Sequence, residues 1–130
     1  MNWKRVLTYG ALLWALPFAL SVVLFGIRDA NRALFESLIT VVGVTLAVAA
    51  AVHFFRDDRA PGAKVGLGLG LAWLVISVII DLPIFLGVFD MSLADYGTDI
   101  ALTYLAFPAI TTGVALAQRR GIGLSVLRPT

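Results

Sequence analysis

Cysteine is absent from this chain of 130 residues. That excludes disulfides, thiolate metal sites, iron–sulfur clusters and a cysteine nucleophile. Histidine occurs once, at His53, and a single imidazole makes a poor metal site. Charge is also scarce. Charged residues are 14% of the chain and apolar ones 60%, where soluble domains have roughly a quarter and a half. No H-E-x-x-H, P-loop or nucleophile pattern is present, and Gly66-x-Gly68-x-Gly70 lacks the G-x-G-x-x-G spacing of a dinucleotide fingerprint. Enzymatic activity, a metal and a cofactor are therefore not expected.

What is present is apolar sequence in long runs, with a mean hydropathy of +0.95. The length accommodates about four spans of roughly 20 residues with short loops and no separate soluble domain. The runs cover residues 6–27, 34–55, 65–89 and 96–117, so residues 1–120 form one transmembrane domain and 121–130 a short tail. The first run is longer than the roughly 7–15 residues of a signal h-region, so it is expected to remain as a helix, although Ala19-x-Ser21 has the small residues of a cleavage site. Pro17 lies mid-span, where a membrane helix tolerates it with a kink. Asp29 or Asn31 suits a cap for the second helix, Pro61-Gly62 marks a turn, and Ser92 with Asp95 fits an N-cap pattern.

The net charge of +2 is not a nucleic-acid signal, because the basic residues sit at the ends of apolar runs. Lys4, Arg5, Arg56, Arg59, Lys64, Arg119, Arg120 and Arg128 fall on one side, and only Arg28 and Arg32 on the other. The positive-inside rule makes the first side cytoplasmic and puts both termini there. With short loops, the expected fold is an all-α, up-down-up-down bundle of four transmembrane helices in the plasma membrane. Leu13-Trp14 and Ala72-Trp73, in the odd-numbered spans, form a weak internal echo of the kind parallel repeats leave.

Small residues recur every four positions: Ala11, Ala15 and Ala19; Gly43, Ala47 and Ala51; Gly62, Gly66 and Gly70; Gly113, Ala117 and Gly121. Membrane helices associate by close backbone approach at such residues. Gly66, Gly70, Gly113 and Ala117 are the expected helix-packing positions. His53, beside Phe54 and Phe55, reads as an interfacial anchor, and the tryptophans and tyrosines include belt residues.

One ionisable side chain interrupts the third run. Asp81 lies about eight residues from the outer end, roughly 12 Å deep at 1.5 Å per residue. An acid at such depth costs about 2.5–3.5 kcal/mol on insertion scales, so it is expected to face the interior, be protonated or be paired. Either it is functional or it fixes helix register by a hydrogen bond. Pro83 follows and leaves carbonyls in the preceding turn without a donor. Counting inward from the outer ends puts Ser21, Thr40, Thr103 and Tyr104 at similar depth. The expected site is an outer-half polar pocket of Asp81, Ser21, Thr40, Thr103 and Tyr104, with Asp99 and Arg32 at its mouth. Arg32 and Glu36, at i,i+4, also suit each other.

The stretches Leu34-Phe35-Glu36-Ser37, Met91-Ser92-Leu93-Ala94-Asp95-Tyr96 and Asp99-Ile100-Ala101-Leu102-Thr103-Tyr104 resemble those of an uncharacterised family of small four-span prokaryotic integral membrane proteins. The resemblance covers roughly residues 3–118. It implies an intact four-helix membrane protein and carries no activity. Together these readings point to a small transporter or channel-like protein using an intramembrane carboxylate, oligomeric because four helices make a thin translocation path. The alternative is a non-enzymatic scaffold or accessory subunit packed on a partner membrane protein. The expected partners are the lipid bilayer and a second copy or another membrane protein, with no nucleic acid.

Overall fold

The computed structural model describes residues 2–56 and 61–127. The described residues form helices α1 (Trp3–Val23), α2 (Phe25–Ala30), α3 (Arg32–Phe54), α4 (Ala63–Asp81), α5 (Leu93–Asp99) and α6 (Ala106–Leu127), with no strand. A π-helical segment, Leu82–Val88, continues α4, and a 3-10 segment, Ala101–Leu105, precedes α6. Among the described residues, four helical stretches are long and apolar enough to cross a membrane: Trp3–Val23, Arg32–Phe54, Ala63–Val88 and Leu93–Gln118. This is the architecture of a multi-pass membrane protein.

Helix starts follow local chemistry. Asn2 accepts hydrogen bonds from the backbone amides of Lys4 and Arg5 at 3.1 and 3.4 Å, starting α1. Asn31 accepts from the Leu34 amide at 3.1 Å and starts α3. Ser92 accepts from the Asp95 amide at 3.1 Å and starts α5. Each oxygen satisfies a first-turn amide that has no partner within the helix. Asn31 is almost the whole connection between the first two spans, because α2 fills the polar segment as a further helical turn. α1 runs through Pro17 and ends at Val23. α6 passes the expected end at residue 117 and continues to Leu127, so the backbone of the expected tail begins as helix. Arg59 lies outside the described residues.

α4 packs against α6 and α1, and α3 against α1 and α6. α3 and α4, though consecutive in the chain, touch marginally at most. A two-fold axis along the membrane normal would set α1 diagonal to α4; their direct contact means that the Leu13-Trp14 and Ala72-Trp73 echo has no such counterpart in the packing.

The interior is small, aromatic and polar. α4 turns Gly66, Leu69, Gly70, Trp73, Ser77 and Asp81 inward, at helical spacing. Its opposite face exposes Leu67, Leu71, Val75 and Ile79, and α3 exposes Val41, Val44, Val48 and Val52. Large aliphatics turned outward are unfavourable in water and suited to lipid tails. A Cβ on Gly66 would sit 2.8 Å from the Thr111 carbonyl oxygen and 2.9 Å from the Ala115 Cβ, and one on Gly70 would run into Pro108 and Thr111. Here α4 and α6 approach backbone to backbone. Gly113 and Ala117, also expected at helix contacts, are exposed instead. They follow Thr111 and Ala115 by two residues, about 200° round a helix of 3.6 residues per turn, so the face that meets α4 excludes them.

Gly70→Ala should therefore destabilise the protein by at least about 1–3 kcal/mol, the usual cost of overpacking, because the obstructing atoms include backbone. Gly113→Ala, with nothing within 4 Å of the added carbon, should leave the melting midpoint in detergent unchanged or raise it. Equal midpoints for the two variants would contradict the packing described.

Candidate functional site

Asp81 ends the regular part of α4 and is fully buried. Three neutral donors converge on its carboxylate from two other spans. Trp14 of α1 donates from Nε1 to Oδ1 at 2.5 Å. The Tyr96 hydroxyl of α5 donates to Oδ2 at 2.9 Å, and the Tyr104 hydroxyl of the 3-10 segment donates to the same oxygen. Each donor is held by its own ring contacts. Trp14 stacks on Phe18 at 4.8 Å, Phe85 lies 6.0 Å from the Tyr96 ring, and Tyr104 stacks on Phe107 at 5.6 Å. Out of reach of bulk water, a buried carboxylate depends on hydrogen bonds held inside the protein.

Both prolines near the site bend the helices away from α geometry. Pro83 has no N–H for the carbonyl one turn back, and the chain opens into the π segment over Leu82–Val88. The segment closes at Asp90, the one described non-glycine residue in the left-handed region, at φ 53. The Met91 amide then donates back to the Phe85 carbonyl at 2.9 Å. Pro108, in the first turn of α6, likewise cannot donate to the Tyr104 carbonyl, and the preceding turn tightens to 3-10. Ile100 leaves helical geometry between α5 and the 3-10 segment, and Tyr96 and Tyr104, on either side of it, both reach Asp81.

Of the expected pocket, Asp81 and Tyr104 meet. Ser21 bonds to its own helix, its hydroxyl donating to the Phe18 carbonyl at 2.6 Å, and not to the carboxylate. Thr103 is exposed and donates to the Ile100 carbonyl at 2.6 Å. Thr40 is exposed on α3, which packs on α1 and α6 rather than on α4. Arg32 donates from Nε to Glu36 at 2.9 Å on the exposed first turn of α3. The side chain of Asp99 lies outside the described residues. Depth alone does not bring Ser21 and Thr103 to the carboxylate, since short hydroxyl side chains in a helix satisfy themselves on their own backbone.

Trp14 and Tyr96, which the sequence groups with the aromatics that include the belt, are bonded to Asp81. For Trp14 a signal existed: it lies mid-way along its span, where an indole N–H needs a partner inside the protein. For Tyr96 there was none, because the break that turns it inward depends on how α6 meets α4.

Inward of Asp81, an aromatic layer closes the bundle. Trp73 is fully buried and meets Phe54 and Phe107 edge-on at 6.3 Å each, while its Nε1 donates to the Val6 carbonyl at 3.2 Å. A second polar cluster lies beyond it. Arg5 donates to the His53 and Phe54 carbonyls at 3.3 and 3.2 Å, capping the end of α3, and its guanidinium lies 5.0 Å from the Phe54 ring centre. The Tyr9 hydroxyl and His53 Nδ1 share a hydrogen bond. His53 is thus tied to α1 as well as placed near the end of its helix. Among the described residues, no three His, Asp or Glu side chains converge as a metal site would require.

Tyr104→Phe and Trp14→Phe should each cost about 1–3 kcal/mol, the usual penalty for removing a partner from a buried acceptor. In an Asp81→Leu background the same changes should cost much less. Unfolding in mixed micelles over a double-mutant cycle reads the coupling, and identical penalties in both backgrounds would refute it. Comparison with protein-family models, curated proteins and solved structures returns no match to this chain, so a functional reading rests on this carboxylate and the side chains that hold it.

Proposed function

We propose that the chain is a small transporter or channel-like protein of the plasma membrane, with Asp81 as its proton- or cation-responsive group. The observation that carries this reading is the fully buried carboxylate, bonded by donors from two other spans. Such a group is expensive in a bilayer, and intramembrane acids mark ion and proton pathways. A well-packed apolar cluster would hold three spans together at least as well, so stability alone is a poor reason for an acid here. The charge on Asp81 is a natural control point: an ionised carboxylate only accepts, and protonation converts one of its acceptor positions into a donor. The adjoining π segment is a device that recurs at functional sites. In this reading the four spans run up-down-up-down with both termini cytoplasmic, as the Lys and Arg distribution requires.

A second reading, a scaffold or accessory subunit, is favoured by one observation. Ala11, Ala15 and Ala19 on α1, and Ala109, Gly113 and Ala117 on α6, are exposed at four-residue spacing. These outward small-residue faces suit close approach by another membrane helix.

Absence of cysteine makes the topology directly testable. A single cysteine at Asp29 should react with an impermeant maleimide in intact cells, and one at Lys64 only after permeabilisation; the reverse pattern would invert the orientation. In proteoliposomes, Asp81→Asn should abolish pH-dependent flux while the protein still folds. Unchanged flux would defeat the transport reading, and loss of folding without any wild-type flux would favour the scaffold.

A further inference from the structure

The Ser77 hydroxyl is fully buried and has no hydrogen-bond partner among the described residues. Among the described residues Thr112 Oγ1 is also buried without a partner, although a hydroxyl in a membrane helix normally donates to the carbonyl one turn back. Thr111 does so, donating to the Phe107 carbonyl at 2.8 Å. Ser77 stands four residues before Asp81 on the same buried face of α4, about 6 Å along the axis. It does not bond the carboxylate directly, and one turn further inward lies Trp73, also fully buried.

The carboxylate has one acceptor position to spare. A carboxylate has about four acceptor positions, and Trp14, Tyr96 and Tyr104 take three. We propose that Ser77 and Asp81 hold one internal water between them, which donates to the fourth position and is the proton-transfer partner of the carboxylate. The hydroxyl and the carboxylate supply two polar partners, the least that a buried water commonly has, and a one-turn separation suits a bridged contact. A bare cation fits less well, because the groups around Asp81 direct hydrogens toward it and the Trp14 indole N–H has no lone pair to offer. Trp14 of α1, Tyr96 of α5 and Tyr104 of the 3-10 segment are the groups that face the carboxylate, and among the described residues no charged side chain bonds to it. A proton arriving on the water as hydronium passes to the carboxylate oxygen, leaving a neutral water and a neutral carboxylic acid.

This assignment deepens the reading of Asp81 as a proton-responsive group and rests on it for its purpose. The test uses the full chain in detergent, with two readouts. One is the infrared O–H stretch of tightly bound water, recognised by its shift on exchange into oxygen-18 water. The other is the melting midpoint. Ser77→Ala should remove the band and lower the midpoint, because a bridging water loses its second partner. A persistent band, or a raised midpoint as expected when a hydroxyl with no partner is deleted, would overturn the site. Should Ser77→Ala not fold, Ser77→Cys, close in size and weaker in hydrogen bonding, must still shift the band, and an unshifted band overturns the site equally. Loss of the band in Ser77→Ala with no proton flux from wild-type proteoliposomes supports the water site and counts against the transport reading, so the two failures remain separable.

Discussion

A carboxylate placed where no bulk water can reach it must be satisfied by the protein, and much of this structure follows from that requirement. Asp81 draws Trp14 from α1 and Tyr96 and Tyr104 from the fourth span onto two oxygen atoms. Three of the four spans are thereby joined at one point. In the hydrocarbon region there is little hydrophobic drive between helices, so a contact of this kind is specific in a way that apolar packing is not. It fixes which faces meet and at what height.

Departures from regular helix serve the same point. Pro83 and Pro108 lie on facing spans, one just beyond Asp81 and the other just beyond Tyr104, and each removes an amide from its helix. One chain segment widens to π and the other tightens to 3-10. The fourth span thereby presents two tyrosines to one carboxylate, which an unbroken helix with residues eight apart would set more than 10 Å apart along its axis. Inward of the carboxylate, Phe54, Trp73 and Phe107 separate this polar group from the one formed by Arg5, Tyr9 and His53. An aromatic layer thus divides the two polar groups.

The close seam between α4 and α6 sets the geometry in which these groups meet. Gly66 and Gly70 let the α4 backbone reach Pro108 and Thr111 of α6. Were the helices farther apart, the Tyr104 hydroxyl would fall short of Asp81. Small residues elsewhere have a different place: Ala11, Ala15, Ala19, Gly113 and Ala117 look outward, toward lipid or a neighbouring helix.

The sequence by itself determined the membrane class, the four spans, the Ser92 cap and the singularity of Asp81, and it narrowed the cap of the second span to Asp29 or Asn31. These depend on composition, run length and contacts between neighbours in the chain, which are local quantities. The glycine seam was half legible: Gly66 and Gly70 follow from spacing, but Gly113 and Ala117 carry the same spacing on a face turned away. Only the tertiary structure decided the partners of Asp81. Ser21, Thr40 and Thr103 share its depth, yet depth is one coordinate of three. The azimuth of each helix, and the fact that α3 lies against α1 and α6 instead of α4, exclude Thr40. Trp14 and Tyr96 enter because large side chains reach across a helix interface, whereas a hydroxyl on a short stem bonds to its own turn.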